Sequence, residues 1–304
     1  MFYMRSDKVF KIVLLVFGFL ILFFSIGIFI QLSSSAWLSI KQNGVSFLFK
    51  SVWDPNKDVY GALPFLIGTF ITALLSVFLS LPLSIGTSLF LSDYVKGNFS
   101  NIISSLIDLL ASIPSVVYGL WGLFMLVPYI RILENWLFKY AGFIPLFNSK
   151  PYGVGILSAT VVLLIMILPY SISVIKEVLK MVPDDLKEAG YALGANKWEV
   201  MQKIVLPYIK SGIFAGTGLS LGRALGETMA VTMVIGNRNA VPTSLFDPAN
   251  TLASVIANEF YEASSASHVS SLIYLALILF VFSFLVNFTM QLILRKINTG
   301  MIKK

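Results

Sequence analysis

Six stretches of this chain are nearly free of charge, and that pattern leaves few folds open. Residues 12–40, 59–92, 151–175 and 263–294 contain no Asp, Glu, Lys or Arg. Residues 97–130 contain only Asp108, and residues 211–236 only Arg223 and Glu227. A membrane-crossing helix needs roughly 20 consecutive, mostly apolar residues, and each stretch supplies them. The spans are predicted near 12–32, 62–91, 102–128, 153–175, 211–236 and 270–294. Composition agrees: 57% of the 304 residues are hydrophobic and 12% charged, where soluble domains are about a quarter charged. A soluble fold of this size would lack a polar exterior, and a disordered chain would lack this much apolar surface. The fold class is therefore all-α, a polytopic membrane protein with six transmembrane helices. Cysteine is absent and His268 is the one histidine, so no disulfide framework, thiolate metal site or haem centre is expected.

Prolines punctuate the spans. Pro64 and Pro82 predict tilt, a kink or a short interfacial helix in the second span, and Pro114 and Pro169 predict kinks in the third and fourth. The net charge of +7 reads as a topology signal, with no nucleic-acid partner expected. With the N-terminus inside, inner segments hold fourteen Lys and Arg and outer segments seven, which predicts both termini in the cytoplasm. The apolar core of the first helix exceeds the length of a signal peptide, so a retained anchor is expected. The chain divides into an N-terminal helix (1–32), an extracytoplasmic segment (33–61), a core of five helices (62–294) and a cytoplasmic tail (295–304). In the last outer loop, Leu252, Val255, Ile256 and Phe260 fall at helical spacing. The helix they form reads either as a cap over the bundle or as a docking surface. Asp108 reads as structural, and His268 is given no chemical role.

The cytoplasmic loop 176–210 is the most informative stretch. Pro183 suits the first position of a helix, and Asp184 and Asp185 its first turn. Gly194 suits a left-handed stop, and Asn196 with Glu199 a capping box for a second helix. Helix, glycine turn, helix is a rigid amphipathic unit suited to a groove on another protein. Glu188-Ala189-Gly190, Gly194 after three residues, and Ile204-Val205-Leu206-Pro207 after nine more resemble the EAA motif of bacterial ABC importer permeases. Gly190 stands where that pattern has alanine. The resemblance implies a type I importer permease fold and a coupling helix seated in a cleft of a cytoplasmic ATPase. It assigns coupling to Glu188, Ala189, Gly190, Gly194, Leu206 and Pro207. No G-x-x-x-x-G-K-[ST] loop occurs in the sequence, so ATP hydrolysis is expected from a separate subunit. No catalytic residue, metal or cofactor is assigned to this chain.

Arg223, near the middle of the predicted fifth span, is costly in lipid and is expected to face protein or water. Glu227 lies four residues on and can pair with it, although Arg before Glu is the weaker order. Two readings stand: a self-neutralising pair that fixes packing, or an anion path. A guanidinium fork suits phosphate oxygens, and Glu227 can accept a hydrogen bond from a protonated phosphate, which sulfate at neutral pH cannot offer. Gly212/Gly216 and Gly218/Gly222/Gly226 allow close helix approach, within this chain or against a second permease.

The stretch GRALGETMAV, at 222–231, resembles the signature of phosphate-specific ABC permeases. Tyr60–Phe65, Ile113–Gly119 and Trp53-Asp54-Pro55 fit the same family. The resemblance implies a permease subunit of an ATP-driven phosphate importer in the bacterial cytoplasmic membrane, with Arg223 and Glu227 on the substrate path. The partners it implies are a homologous permease subunit, a cytoplasmic ATPase dimer, an extracytoplasmic phosphate-binding protein, the lipid bilayer and phosphate itself. Alternatives are a permease for molybdate or sulfate, or a membrane phosphate-sensing scaffold. A secondary transporter would lack the coupling loop.

Overall fold

A computed structural model describes the backbone of residues 2–95 and 97–302 and the side chains of 10–95 and 97–297. Of the residues used for the topology count, Arg5, Lys8, Lys96, Lys303 and Lys304 carry side chains outside that description. The described chain is helical, with one isolated antiparallel bridge between Asp54 and Val59. Six helices are long and apolar enough to cross a membrane.

The first, α1 (Phe2–Ser35), packs along the last helix and buries almost nothing of its own. A short α2 (Trp37–Asn43) turns beside it. The second crossing, α3 (Leu63–Leu89), continues through a wide π-helical turn, Phe90–Tyr94. Pro64 sits in the first turn of α3 and Pro82 inside it, without a break.

The third crossing differs from the predicted single helix over 102–128. Here α4 (Asn98–Ser112) stops, Ile113 and Pro114 are extended, and α5 (Ser115–Trp121) begins. A wide turn, Gly122–Leu126, joins α5 to α6 (Val127–Ala141). Pro114 has no N–H and pushes its predecessor out of helical conformation, so the expected kink is a full break. Asp108 holds α4 to the fourth crossing: Ser173 Oγ donates to its Oδ1 at 2.8 Å.

The fourth crossing, α7 (Ile156–Leu179), is the most buried of the six and keeps Pro169 inside it. A short α8 (Asp184–Ala192) follows. The fifth crossing is displaced from the predicted 211–236. It starts at α9 (Lys197–Val200), runs through a wide turn at Met201–Val205 into α10 (Leu206–Leu225), and stops. The charges at Lys203 and Lys210 hide this start in the sequence. Val200, Met201, Val205 and Ile209 nonetheless bury one face against Ile175, Leu179 and Val182, while both lysines stay exposed. After the break come α11 (Met229–Val234), α12 (Leu252–Glu259) and α13 (Ala266–Ile302).

Apolar burial alone does not hold helices together in lipid, so small residues and hydrogen bonds must. The α3/α7 seam shows how. Thr69, Thr72, Ser76, Ser80, Ser84 and Ser88 form a buried row at three- and four-residue spacing on one face of α3. Ser76 Oγ reaches Thr160 O at 2.9 Å, and Ser88 Oγ reaches Ile172 O at 3.1 Å.

At the α12 end, an aromatic cluster of Phe47, Trp53, Tyr60 and Phe65 meets Leu252, Val255 and Leu272. A half-buried Glu259 organises it. Its carboxylate accepts from Trp53 Nε1 at 2.8 Å and Asn239 Nδ2 at 2.7 Å, and lies 3.0 Å from His268 Nε2. His268 stacks on Tyr60. Burial raises the Tyr60 hydroxyl above its usual range, and the neighbouring Asp58 adds to this. Leu252 and Val255 are fully buried, so α12 is a cap that spends its apolar face on its own bundle. In the preceding loop, burial opposes ionisation of Asp247. Donors from Ser149, Thr243 and Ser244 outweigh it and hold the carboxyl below the usual aspartate range.

Candidate functional site

Antiparallel packing of α7 and α10 fixes the depth of Arg223. Gly212 lies against Val178 and Gly216 against Val174, and Ser220 Oγ is 2.7 Å from Ser171 Oγ. Continued in that register, Arg223 comes level with Leu168, half-way along the 24 residues of α7. The fifth crossing stops at this depth. Arg223 occupies the last turn of α10, and Gly226 to Thr228 are unwound before α11 begins.

The break separates the two charges that sequence spacing would pair. No ion pair joins Arg223 to an acidic side chain among the described residues. Glu227 Oε1 instead accepts from Ala230 N at 3.2 Å, holding the carboxylate at the start of α11. Each charge sits where its helix segment favours it, a cation at a C-terminus and an anion at an N-terminus. The self-neutralising pair is thus not formed in this arrangement. Arg223 is exposed together with Leu219 and Gly226, on one face of the crossing. Tyr118 of α5 donates a hydrogen bond to Leu110 O at 2.8 Å. The small-residue stripe is used inside the chain: Gly212 and Gly216 against α7, and Gly218 and Gly222 against Met290 and Asn287 of α13.

The loop between the fourth and fifth crossings folds as its residues predict, with two adjustments. Pro183 is the N-cap of α8 and Asp184 its first residue. Gly194 takes the left-handed conformation at φ +82°. Asn196 accepts from Glu199 N at 2.9 Å while Asn196 N donates to Glu199 Oε2 at 3.0 Å, completing the capping box. The second adjustment is that the helix begun there belongs to the fifth crossing itself. Pro207 explains the wide turn before it, since a proline cannot donate to the carbonyl four residues back. Leu206 packs beside Val205 and Ile209.

Gly190 is buried where α8 crosses that helix. An added Cβ would stand 2.6 Å from Ile204 Cδ1, the movable end of that side chain, and 3.0 Å from Val200 Cγ2, so glycine gives the closest approach and a larger side chain would press on both. Glu188 and Ala189 are exposed on the other side of α8. Around them Met181, Leu193 and Trp198 are 70%, 90% and 62% exposed, an apolar surface at the tip of the hairpin. The sequence signal for the α3 hydroxyl row was its four-residue spacing. The Glu259 cluster had no such signal, because its members are far apart in the chain.

Residues 84–299 match the family described as binding-protein-dependent transport system inner membrane component. A curated relative from Mesorhizobium japonicum, "Phosphate transport system permease protein PstC", is 40% identical over 96% of this chain and 91% of its own length. The protein of that name from Haemophilus influenzae is 40% identical over 96% of this chain and 94% of its own. A "probable" PstC from Methanocaldococcus jannaschii is 38% identical over 82% and 81%. Among solved structures, a bacterial alginate ABC transporter in complex with its alginate-bound periplasmic protein aligns over 96% of both chains with a TM-score of 0.64 at 14% identity. The inward-facing MetNI methionine ABC transporter aligns over 76% of this chain with a TM-score of 0.52 at 18% identity.

Proposed function

Since the chain belongs to the family of binding-protein-dependent transport system inner membrane components, we propose that it passes inorganic phosphate across the cytoplasmic membrane as one permease subunit of an ATP-driven importer. A permease of this family works with a separate ATPase and an extracytoplasmic binding protein. The hairpin of α8 and α9 is the ATPase-facing element, with Glu188, Ala189 and Gly194 at the contact, Gly190 seating α8 on the fifth crossing, and Leu206 and Pro207 joining it to that crossing. It faces the cytoplasm, as do both termini, and the α12 end faces the phosphate-binding protein. A homologous permease covers the Leu219/Arg223/Gly226 face, so that Arg223 lies on a path between the two subunits.

One observation carries this reading: a guanidinium at mid-depth, beside a helix break, with no carboxylate among the described residues paired to it. A charge there is costly in lipid, and helix breaks at this depth characteristically line ion pathways. Phosphate binds the fork of Arg223, and Glu227, oriented by Ala230 N–H, accepts a proton-bearing phosphate oxygen and limits how tightly the anion is held. Closure of the ATPase dimer displaces α8, and the crossings open alternately to the two sides.

The test is ATP-driven uptake of labelled phosphate in vesicles holding the assembled complex. Excess sulfate or molybdate is expected to leave uptake unchanged. Arg223→Gln is expected to lower it about 10- to 100-fold, the value of a charge-assisted hydrogen bond, and Arg223→Lys to recover it only partly, since an ammonium lacks the planar fork. Competition by sulfate or molybdate would move the substrate to another oxyanion. Unchanged selectivity in Glu227→Gln would remove the proton-reading role.

A further inference from the structure

The α8 hairpin is tied to the foot of α3 by a half-buried charge that lies outside the coupling motif. Asp93 sits in the wide π turn that ends the second crossing, and its side chain is 12% exposed. Its Oδ1 is 3.5 Å from Lys187 Nζ, in α8, which is itself 18% exposed and also 3.6 Å from Asp184. From the other limb of the hairpin, Lys197 Nζ donates to the main-chain oxygen of Asp93 and lies 4.0 Å over the ring of Tyr94. Two cations, one on each side of the Gly194 hinge, converge on one residue of the π turn that follows α3. The second carboxylate oxygen, Oδ2, is buried and has no hydrogen-bond partner among the described residues.

A buried acceptor without a donor is costly, and a half-satisfied buried ion pair is poorly suited to be a mere fastener. It suits a contact with two settings. We propose that Asp93 is the positioning residue through which displacement of α8 is delivered to α3, with Lys197 passing between the main-chain oxygen and the vacant Oδ2 as the hairpin tilts. The contact then changes partner without breaking, and α3 moves with the hairpin along its hydroxyl seam. This rests on the reading of α8 as the ATPase-facing helix.

The test uses the full complex with Asp93→Asn, Lys187→Met and the exchange Asp93→Lys with Lys187→Asp. Three readouts are taken on each: co-purification of the ATPase, ATP hydrolysis stimulated by the loaded binding protein, and phosphate moved per ATP. Asp93→Asn and Lys187→Met are each expected to keep the ATPase bound and hydrolysing, while phosphate per ATP falls about tenfold, within the usual range of site-to-site coupling. The exchange is expected to leave it low, since it takes away the carboxylate that Lys197 would move to; restoration by the exchange would overturn that movement. Wild-type stoichiometry in both single variants would overturn the inference, as would loss of the ATPase from them, which would make Asp93 an anchor for the hairpin. A wild-type chain that bound no ATPase would overturn the α8 reading and this inference together.

Discussion

Two glycines of the α8–α9 hairpin are constrained for different reasons, and substitution separates them. Gly194 has open space around it and a φ of +82°, so its constraint is conformational. Gly194→Val costs about 1–2 kcal/mol of left-handed strain, whereas asparagine tolerates that region. Gly190 has ordinary backbone but stands against Val200 and Ile204, so its constraint is steric. Gly190→Leu is expected to lift α8 and abolish co-purification of the ATPase, while Gly194→Asn keeps it and Gly194→Val weakens it. Retention of the ATPase by Gly190→Leu would refute the packing explanation. Gly194 was legible in the sequence because one residue's backbone preference decides it. The reason for Gly190 was not, because it depends on a helix that the charge pattern conceals.

At the scale of elements, the apolar runs located four of the six crossings closely and misplaced the third and fifth, and breaks were read less well than lengths. Pro114 and Pro169 look alike in sequence, yet one ends a helix and the other lies inside one. What surrounds each proline decides between those outcomes, and a one-dimensional pattern does not hold it. The same limit hid the tie between residues 53–65 and the last outer loop. Glu259 serves Trp53, Asn239 and His268 at once, so removing its acceptors orphans several buried groups. Glu259→Ala is expected to cost about 3 kcal/mol and to lower Tm by about 6 °C or more, with little change for Glu259→Gln. Equal thermal unfolding of all three proteins in detergent would show that the cluster does not organise this end.

For the whole molecule, the predicted sidedness is directly measurable because the chain has no cysteine of its own. Tyr261 is 95% exposed at the α12 end and Leu193 90% exposed at the tip of the hairpin. Tyr261→Cys is expected to react with a membrane-impermeant maleimide on intact cells, and Leu193→Cys only after the membrane is opened. The reverse pattern would invert the topology drawn from the Lys and Arg count. Architecture at this scale was the most legible feature, since it follows from hydropathy summed over long windows. The position of Arg223 was half legible: its depth followed from the run, but its separation from Glu227 required the break at Gly226.

The fifth crossing runs from Lys197 to Leu225 as one helical rod of 29 residues, about 43 Å long. One end adjoins the Gly194 hinge, and the other carries Arg223. Free-energy linkage is reciprocal between such ends. If nucleotide binding to a separate ATPase seated at the hinge changes how firmly the guanidinium holds an anion, then an anion held there changes that ATPase's nucleotide affinity by the same factor. A single piece of chain then lets the cargo govern the engine, and fuel is consumed chiefly when there is something to carry.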